Sequence, residues 1–519
     1  MDRRLKTSPY FYLVLLALII TACGGSSLLW EASYDTENVD IAVDAALDRQ
    51  GNLYVVGSQR SDPQSPGNNY SGLLLKYDPQ GQLIWQSEVP EVTHVHNVIP
   101  LNERRILIET TSNWLYGIQG SGSYHLVSAT DGSIIQQLSD EATTIWTEAT
   151  VDQGRIALLN RYPSSNEVSS DLQQFDMMGN LTNSIALNGT PMQIAAMPNG
   201  GLYYLGYDEW QAGLRLYALD ENLAMIWAST ELTSLHGLCG FFIESNPASI
   251  TSDHNNDIIV QCPTHVTKLS SQGELVFTTD YSDLFQDEPD TNPERLDLEL
   301  PPTFITVDDN NDIYIATTQA NNLIGQIGNL HTGEYYSLIK SDTLVMKFDG
   351  ISGERVWSDR INGYLQGTPN GVTSDFYYPM ALSIVNDRLQ VTVRGFRGNY
   401  VGAFRDEDEL VSHCTQYVDL PYLINSCNLD SIANAYAKTI YYNVIDGKRS
   451  NGETYNDDYP STALTGSDNT LYLVGDSTWE GIKHFIEINA QSQALLSEGD
   501  WVEIRDSESA IYIEKHQLK

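Results

Sequence analysis

The sequence predicts an all-β chain folded as a single β-propeller of about eight four-stranded blades, seven being the alternative count, with inserted loops at its rim. Three observations predict it. A two-part strand–turn–strand phrase recurs from about residue 40 to the C-terminal region. Its turns are built from Asp, Asn and Gly. The chain is rich in Tyr (30) and Gly (38) while charged residues are only 18%, a composition of strands and turns rather than of disorder.

The first half of the phrase is a short run, a polar turn and a β-branched or aromatic run. Residues 43–57 are the cleanest copy, with Asp48-Arg49-Gln50-Gly51-Asn52 as the turn and Leu53-Tyr54-Val55-Val56 as the strand. It returns at 195–206, 305–316 and 464–475, and in weaker form near 98–109, 148–159, 250–261 and 383–394. The second half is a strand, a turn with Gly or Asn, and a strand often carrying Trp. Residues 73–85, 216–227 and 344–357 end in Trp85, Trp227 and Trp357, and further copies lie near 123–138, 171–187, 265–278, 400–412 and 484–496. Asp and Asn cap their own backbone in tight turns and Gly accepts positive φ, so the apolar runs between them read as strands. Two hairpins make a four-stranded unit that cannot bury both faces alone. Radial stacking of such units buries them against one another, whereas a tandem array of sandwiches calls for longer strands and fewer regular turns.

Closure is also written in the chain. Leu28-Leu29-Trp30-Glu31-Ala32-Ser33 has the form of a Trp-bearing unit end, yet precedes the first unit. Residues 501–504 and 510–513 have the form of an opening hairpin with nothing after it. An N-terminal outer strand completing a C-terminal blade removes two sheet edges at once.

Upstream, Arg3, Arg4 and Lys6 precede an apolar run from Tyr10 to Ile20. Eleven helical residues span about 16 Å, too short for a ~30 Å hydrocarbon core, so this run reads as an export signal rather than a membrane span. Ile20-Thr21-Ala22-Cys23 resembles the lipobox of bacterial lipoproteins, with Ile where Leu is usual. The resemblance implies cleavage after residue 22, a lipid on Cys23 and attachment to a membrane. Gly24 resembles the pattern that permits transfer to the outer membrane, facing the periplasm or the cell surface. The expected organisation is a signal peptide at 1–22, a lipidated N-terminus and closing strand at 23–39, and the propeller at 40–519.

Formal net charge is −40, and loss of residues 1–22 takes it to −42. Such a field repels nucleic acid and anionic headgroups, and no nucleic-acid partner is expected. Beyond Cys23, four cysteines remain: Cys239, Cys262, Cys414 and Cys427. They permit three disulfide pairings, of which the near-neighbour one, 239 with 262 and 414 with 427, is the expectation. No C-x-x-C occurs, so neither redox nor zinc chemistry is suggested.

The Gly-Asn-Leu-Tyr-Val phrase of 51–55 followed by Lys76-Tyr77-Asp78 and Trp85 is similar to the repeats of bacterial quinoprotein-like β-propellers. The resemblance covers nearly the whole mature chain and speaks to fold, since such repeats encode blades rather than chemistry. One analogue that joins a lipobox to an eight-bladed propeller is the lipoprotein subunit of the outer-membrane barrel-assembly machinery. Quinone-dependent dehydrogenases of this kind carry a tryptophan-docking phrase in each blade, which is not present here in regular form, and one group carries adjacent cysteines, which are absent.

Candidate sites are few. His94 and His96 share one face of a strand and supply half of a metal site at most. Asp253–Asp257 and Asp308–Asp312 are oxygen-rich, but lack the Gly and Glu of a helix–loop–helix calcium loop and stand where each unit has its first turn. Gly120-Ser121-Gly122-Ser123 has no phosphate-loop Lys. No catalytic residue, cofactor or metal-ligand set is assigned. Four insertions, at 281–301, 320–341, 361–379 and about 418–459, are the candidate binding loops. The last is expected to contain a short helix over 428–438, capped by Asn428 or Asp430, and to offer Tyr436, Tyr441, Tyr442 and Tyr455 to a protein or glycan, or else to pack them on the propeller. The expected role is a membrane-anchored, non-catalytic module that binds a protein partner. A carbohydrate-binding or carbohydrate-cleaving lipoprotein and a quinone- or calcium-dependent oxidoreductase are the alternatives.

Overall fold

The computed structural model describes residues 27–36, 40–60, 70–89, 92–111, 122–139, 146–152, 154–162, 169–187, 190–208, 213–229, 249–262, 264–285, 303–328, 335–362, 364–368, 371–401, 432–450, 452–456, 459–466, 468–476 and 510–518. They form eight antiparallel sheets, the blades of an eight-bladed propeller. Blade one is Asp40–Leu47, Leu53–Arg60, Tyr70–Tyr77 and Leu83–Val89, from the first strand to the outermost. Blades two to five follow the same order from His94–Asn102, Trp146–Asp152, Thr190–Ala196 and Ser249–Ser252. Blade six begins at Phe304–Val307 and ends with Arg355–Ile361.

Blade eight closes the ring. Tyr459–Gly466, Thr470–Asp476 and Ile511–Gln517 come from the C-terminal region, and the outermost strand is Ser27–Tyr34. The N-terminal strand thus stands where the sequence placed it. The third strand does not: it is Ile511–Gln517, not the copy near 484–496, which lies outside the described residues. The second arm of the C-terminal hairpin is therefore part of blade eight, its first arm at 501–504 lies outside the described residues, and the count is eight.

Blade seven departs further from expectation. Its body is Gly371–Val385, Arg388–Val401 and Ile432–Asn443, with the outer pieces Arg449–Ser450 and Thr454–Asn456. The third strand is not near 400–412. The helix expected over 428–438 is a strand from Ile432, paired along Arg388–Gly398. Much of the supposed insertion at 418–459 is thus blade, while 418–431, 451 and 457–458 lie outside the described residues. Two other insertions are also sheet. Residues 320–328 and 335–341 pair as a ribbon prolonging blade six, and Tyr364–Thr368 pairs with Gly371–Asp375 to prolong blade seven.

One side-chain device explains the recurring phrase. The first Asp of the inner turn accepts from the backbone N–H two and four residues on, as Asp48 does from Gln50 and Asn52 and Asp308 from Asn310 and Asp312. The Tyr of the second strand faces a Lys on the third: Tyr54 with Lys76, Tyr314 with Lys347, Tyr472 with Lys515. Each Nζ lies 4.9–5.2 Å from its ring centroid, within cation–π range. The Trp of the outer strand reaches the next blade. Trp85 Nε1 donates to Ala129 O at 3.1 Å, Trp227 Nε1 to Ser271 O at 2.8 Å, and Trp30 Nε1 to Pro79 O at 2.9 Å, from blade eight to blade one. Each indole packs on a positive-φ glycine, Gly132, Gly273 and Gly81 respectively, where a Cβ would come within 2.8 Å of the ring. Tryptophan docking between blades is therefore present, although the sequence lacks the regular phrase for it. Gly81 and Gly353 each stand four residues before a Trp, so one turn receives a ring from the blade before and its strand sends Trp85 or Trp357 on to the next.

Between blades the apolar faces interlock. Leu53, Val55, Leu73 and Leu75 of blade one meet Tyr472, Val474, Ile511 and Ile513 of blade eight, all buried. Burial of one such side chain contributes roughly 1.5–3 kcal/mol.

Candidate functional site

Strand order fixes two unlike faces. In a four-stranded antiparallel blade the first–second and third–fourth connections lie on one face. The second–third connection and the passage to the next blade lie on the other. On the first face every connection within blades one to eight is two to six residues long. On the second they reach 19 residues at 230–248, 30 at 402–431 and 34 at 477–510. We call these the turn face and the loop face. The insertions at 281–301, 320–341 and 361–379 and the part of the fourth at 418–431 all belong to loop-face connections or to the ribbons that prolong blades six and seven toward it.

The oxygen-rich segments Asp253–Asp257 and Asp308–Asp312 are inner turns on the turn face. Asp253 N donates to Asp257 O, Asp308 N to Asp312 O, and Asn256 and Asn311 take positive φ. Among the described residues no three His, Cys, Asp or Glu side chains converge as a metal site.

The four tyrosines offered as partner contacts are not a surface. Tyr436, Tyr442 and Tyr455 are buried. Tyr436 donates to the Tyr377 hydroxyl at 3.0 Å. Tyr442 stacks on Trp357 with centroids 5.6 Å apart and donates to Asp359 at 2.9 Å. Tyr455 lies 4.4 Å from the His516 ring of blade eight. Tyr441 is half-buried against the same interface, and burial pushes its hydroxyl up to about 12. They pack blade seven onto its neighbours, because Tyr436, Tyr441 and Tyr442 sit on the interior strand Ile432–Asn443 and Tyr455 on the outer piece paired to it.

Cys262 ends the second strand of blade five at the loop face and is disulfide-bonded. Cys239, Cys414, Cys427 and Cys23 lie outside the described residues.

His94 and His96 open the first strand of blade two at the loop-face end, their ring centroids 5.9 Å apart. His94 is buried and bonds Ser58 of blade one through Nδ1. Burial, with the neighbouring His96 adding to it, pulls His94 down to about 3. Burial lowers His96 as well. Both are neutral interior imidazoles at neutral pH.

Two carboxyl groups deeper in the same wall were missed by the sequence reading. Asp44 accepts from Val98 N at 3.2 Å, across the blade one–two interface, and burial pushes it up to about 6. Glu109, paired in register with Asn97, accepts from the Tyr124 hydroxyl at 3.0 Å. Burial pushes Glu109 up to about 7, against the Tyr124 hydrogen bond, and the Asp44 charge raises it further. The only signal in the sequence was an acidic residue inside an apolar strand: Asp44 after Ile41-Ala42-Val43, Glu109 after Ile106-Leu107-Ile108.

Their effect on stability has a definite sign. A carboxyl raised in the fold stabilises fully below its ordinary pKa near 4, and that contribution is lost as pH rises through the folded value. About two pH units correspond to roughly 2–3 kcal/mol per group. Glu109→Gln is therefore expected to be about 2 kcal/mol more stable than the parent at pH 8, with the gain gone at pH 4. Urea denaturation at the two pH values reads this directly. An equal effect at both would show that Glu109 ionises freely.

No protein-family profile matches the chain, and no curated protein matches it. Among solved structures it resembles a protein of unknown function from Bacteroides caccae at 11% identity, over 56% of this chain and 89% of that one, with a TM-score of 0.29. It resembles hydrazine synthase of Kuenenia stuttgartiensis at 10% identity, over 70% and 83%, with a TM-score of 0.33. It resembles the exotype rhamnogalacturonan lyase YesX at 8% identity, over 96% and 75%, with a TM-score of 0.39. Likeness at this level carries no argument about activity.

Proposed function

We propose that this chain is a lipid-anchored, non-catalytic propeller of the bacterial cell envelope that holds a protein partner on its loop face. One observation carries the reading: the long connections all leave one face, while the other is trimmed to tight turns. Propeller blades are rigid, and connections on a rigid scaffold are where recognition is built. The export signal and the lipobox-like run ending at Cys23 support the anchor.

The test is to replace 402–431 with a short Gly-Ser link, which leaves the strands Arg388–Val401 and Ile432–Asn443 in place. Cross-linked complexes from the native envelope are then compared with those of a turn-face control, Gln272→Glu. Loss of a reproducible partner at least tenfold in the loop variant alone supports the reading. An unchanged set of partners, or turnover in a glycoside-hydrolase, lyase or quinone-dependent oxidation screen, replaces it.

A further inference from the structure

The strand that closes the ring also says which way the propeller faces. Ser27 pairs with Gln517, and Leu518 N donates to Asn469 O in the inner turn of blade eight. The strand Ser27–Tyr34 therefore starts on the turn face and runs toward the loop face. Four residue steps lead from Cys23 to Ser27, a reach of at most roughly 14 Å. Any lipid on Cys23 draws the turn face, not the loop face, to the bilayer. The attachment is also off-centre, because Ser27–Tyr34 is the outermost strand of its blade.

A second observation points to the same end of every blade, among which the anchor chooses the sector. Among the described residues, every large exposed apolar side chain sits at the start of an outer strand or in the turn before it. Beside the anchor these are Leu28 and Leu29 of blade eight and Leu83 and Ile84 of blade one, 43–49% exposed, with Ile445 of blade seven at 77%. Each lies on the outer wall next to the turn face.

We infer that this sector of the rim, blades seven, eight and one, rests on the lipid bilayer. The propeller then leans on its edge with the loop face turned away. The inference rests on the anchor reading above. Lipid on the cysteine supplies most of the attachment, and aliphatic side chains reaching the headgroup boundary set the tilt. The net charge of the chain is −40, so the contact favours zwitterionic over anionic headgroups.

The experiment places p-benzoylphenylalanine at Leu83 (near rim), at Val276 of blade five (far rim) or at Asp35 (loop-face connection). The lipidated proteins are cross-linked in vesicles of phosphatidylethanolamine and phosphatidylcholine. Lipid adducts at 83 at least tenfold above those at 276 and 35 are expected, falling when phosphatidylglycerol is added. Equal adducts at 83 and 276, an excess at 35, or adducts from 83 to a second copy of the chain overturn the inference. Intact-mass measurement tests the anchor separately. If it finds no acyl chains, the anchor reading fails alone. A chain starting at Cys23 and coupled through that thiol to a maleimide lipid then puts the same question to the rim.

Discussion

Lys268→Ala is expected to destabilise the protein by about 3–5 kcal/mol, the cost of leaving a buried carboxylate without its cation. Lys268 lies on the third strand of blade five, almost fully buried. Its Nζ is 2.7 Å from Asp253 Oδ2 and 3.4 Å from Asp257 Oδ2, and it donates to Gly350 O of blade six at 2.8 Å. Asp253 is equally buried. Removal of the ammonium strands the charge of Asp253 and takes the donor from Gly350 at the same time, an unmet carbonyl adding about 1–3 kcal/mol. Lys268→Met, which keeps the aliphatic stem, is expected to cost nearly as much, so the loss is one of charge and not of packing. Pairing Lys268→Met with Asp253→Asn is expected to recover roughly 1–3 kcal/mol relative to additivity. Urea midpoints at unchanged slope measure all three. A loss below about 1 kcal/mol in Lys268→Ala would mean that water reaches Asp253.

The parts of the fold legible in the sequence are those held by local chemistry. The inner turns were readable because Asp48, Asp253 and Asp308 bond backbone within four residues of themselves. The closing strand was readable because Trp30 repeats the outer-strand pattern out of place. Blades seven and eight were misread where long connections separate their second and third strands. There the apolar runs that follow read as strand, while the true partners lie 30 or more residues on. The helix over 428–438 failed for a propensity reason. Ala433, Ala435 and Ala437 favour helix in isolation, and the segment lacks alternation because Tyr436 and Ala437 are both buried, one on each side of an interior strand. Pairing with Arg388–Gly398 outweighs a few tenths of a kcal/mol per residue. Tyr436, Tyr442 and Tyr455 were misassigned with it, since aromatic side chains read alike whether they bind a partner or a neighbouring blade. Asp44 raises Glu109 only because blade two packs on blade one, an influence across 65 residues of chain that no local pattern announces.

A chain beginning at Asp35 is expected to lose cooperative unfolding, or to lose at least about 5 kcal/mol, because it opens the ring at its one non-consecutive seam. Seven pairings hold Ser27–Tyr34 to Ile511–Gln517, and among the described residues no other strand covers that edge. With the strand go the Trp30 indole on Gly81 and its hydrogen bond to Pro79 O, and aromatic removal from a packed site alone costs about 3–5 kcal/mol. Tyr34, buried against blade one, is lost as well. The bare edge at Ile511–Gln517 then invites pairing with another copy, so aggregation during refolding is expected alongside the thermal loss. Adding a peptide of residues 27–36 in trans is expected to restore a single transition, with a midpoint that rises with peptide concentration. A truncated chain melting within about 3 °C of the parent would show that seven blades and a three-stranded remnant suffice. Rescue also separates two roles of one segment. The strand completes the sheet by its backbone and Trp30, whereas the proposed tether acts through Cys23, upstream of the paired strand. A chain rescued by peptide lacking Cys23 should fold as the parent does and yet stay off the membrane.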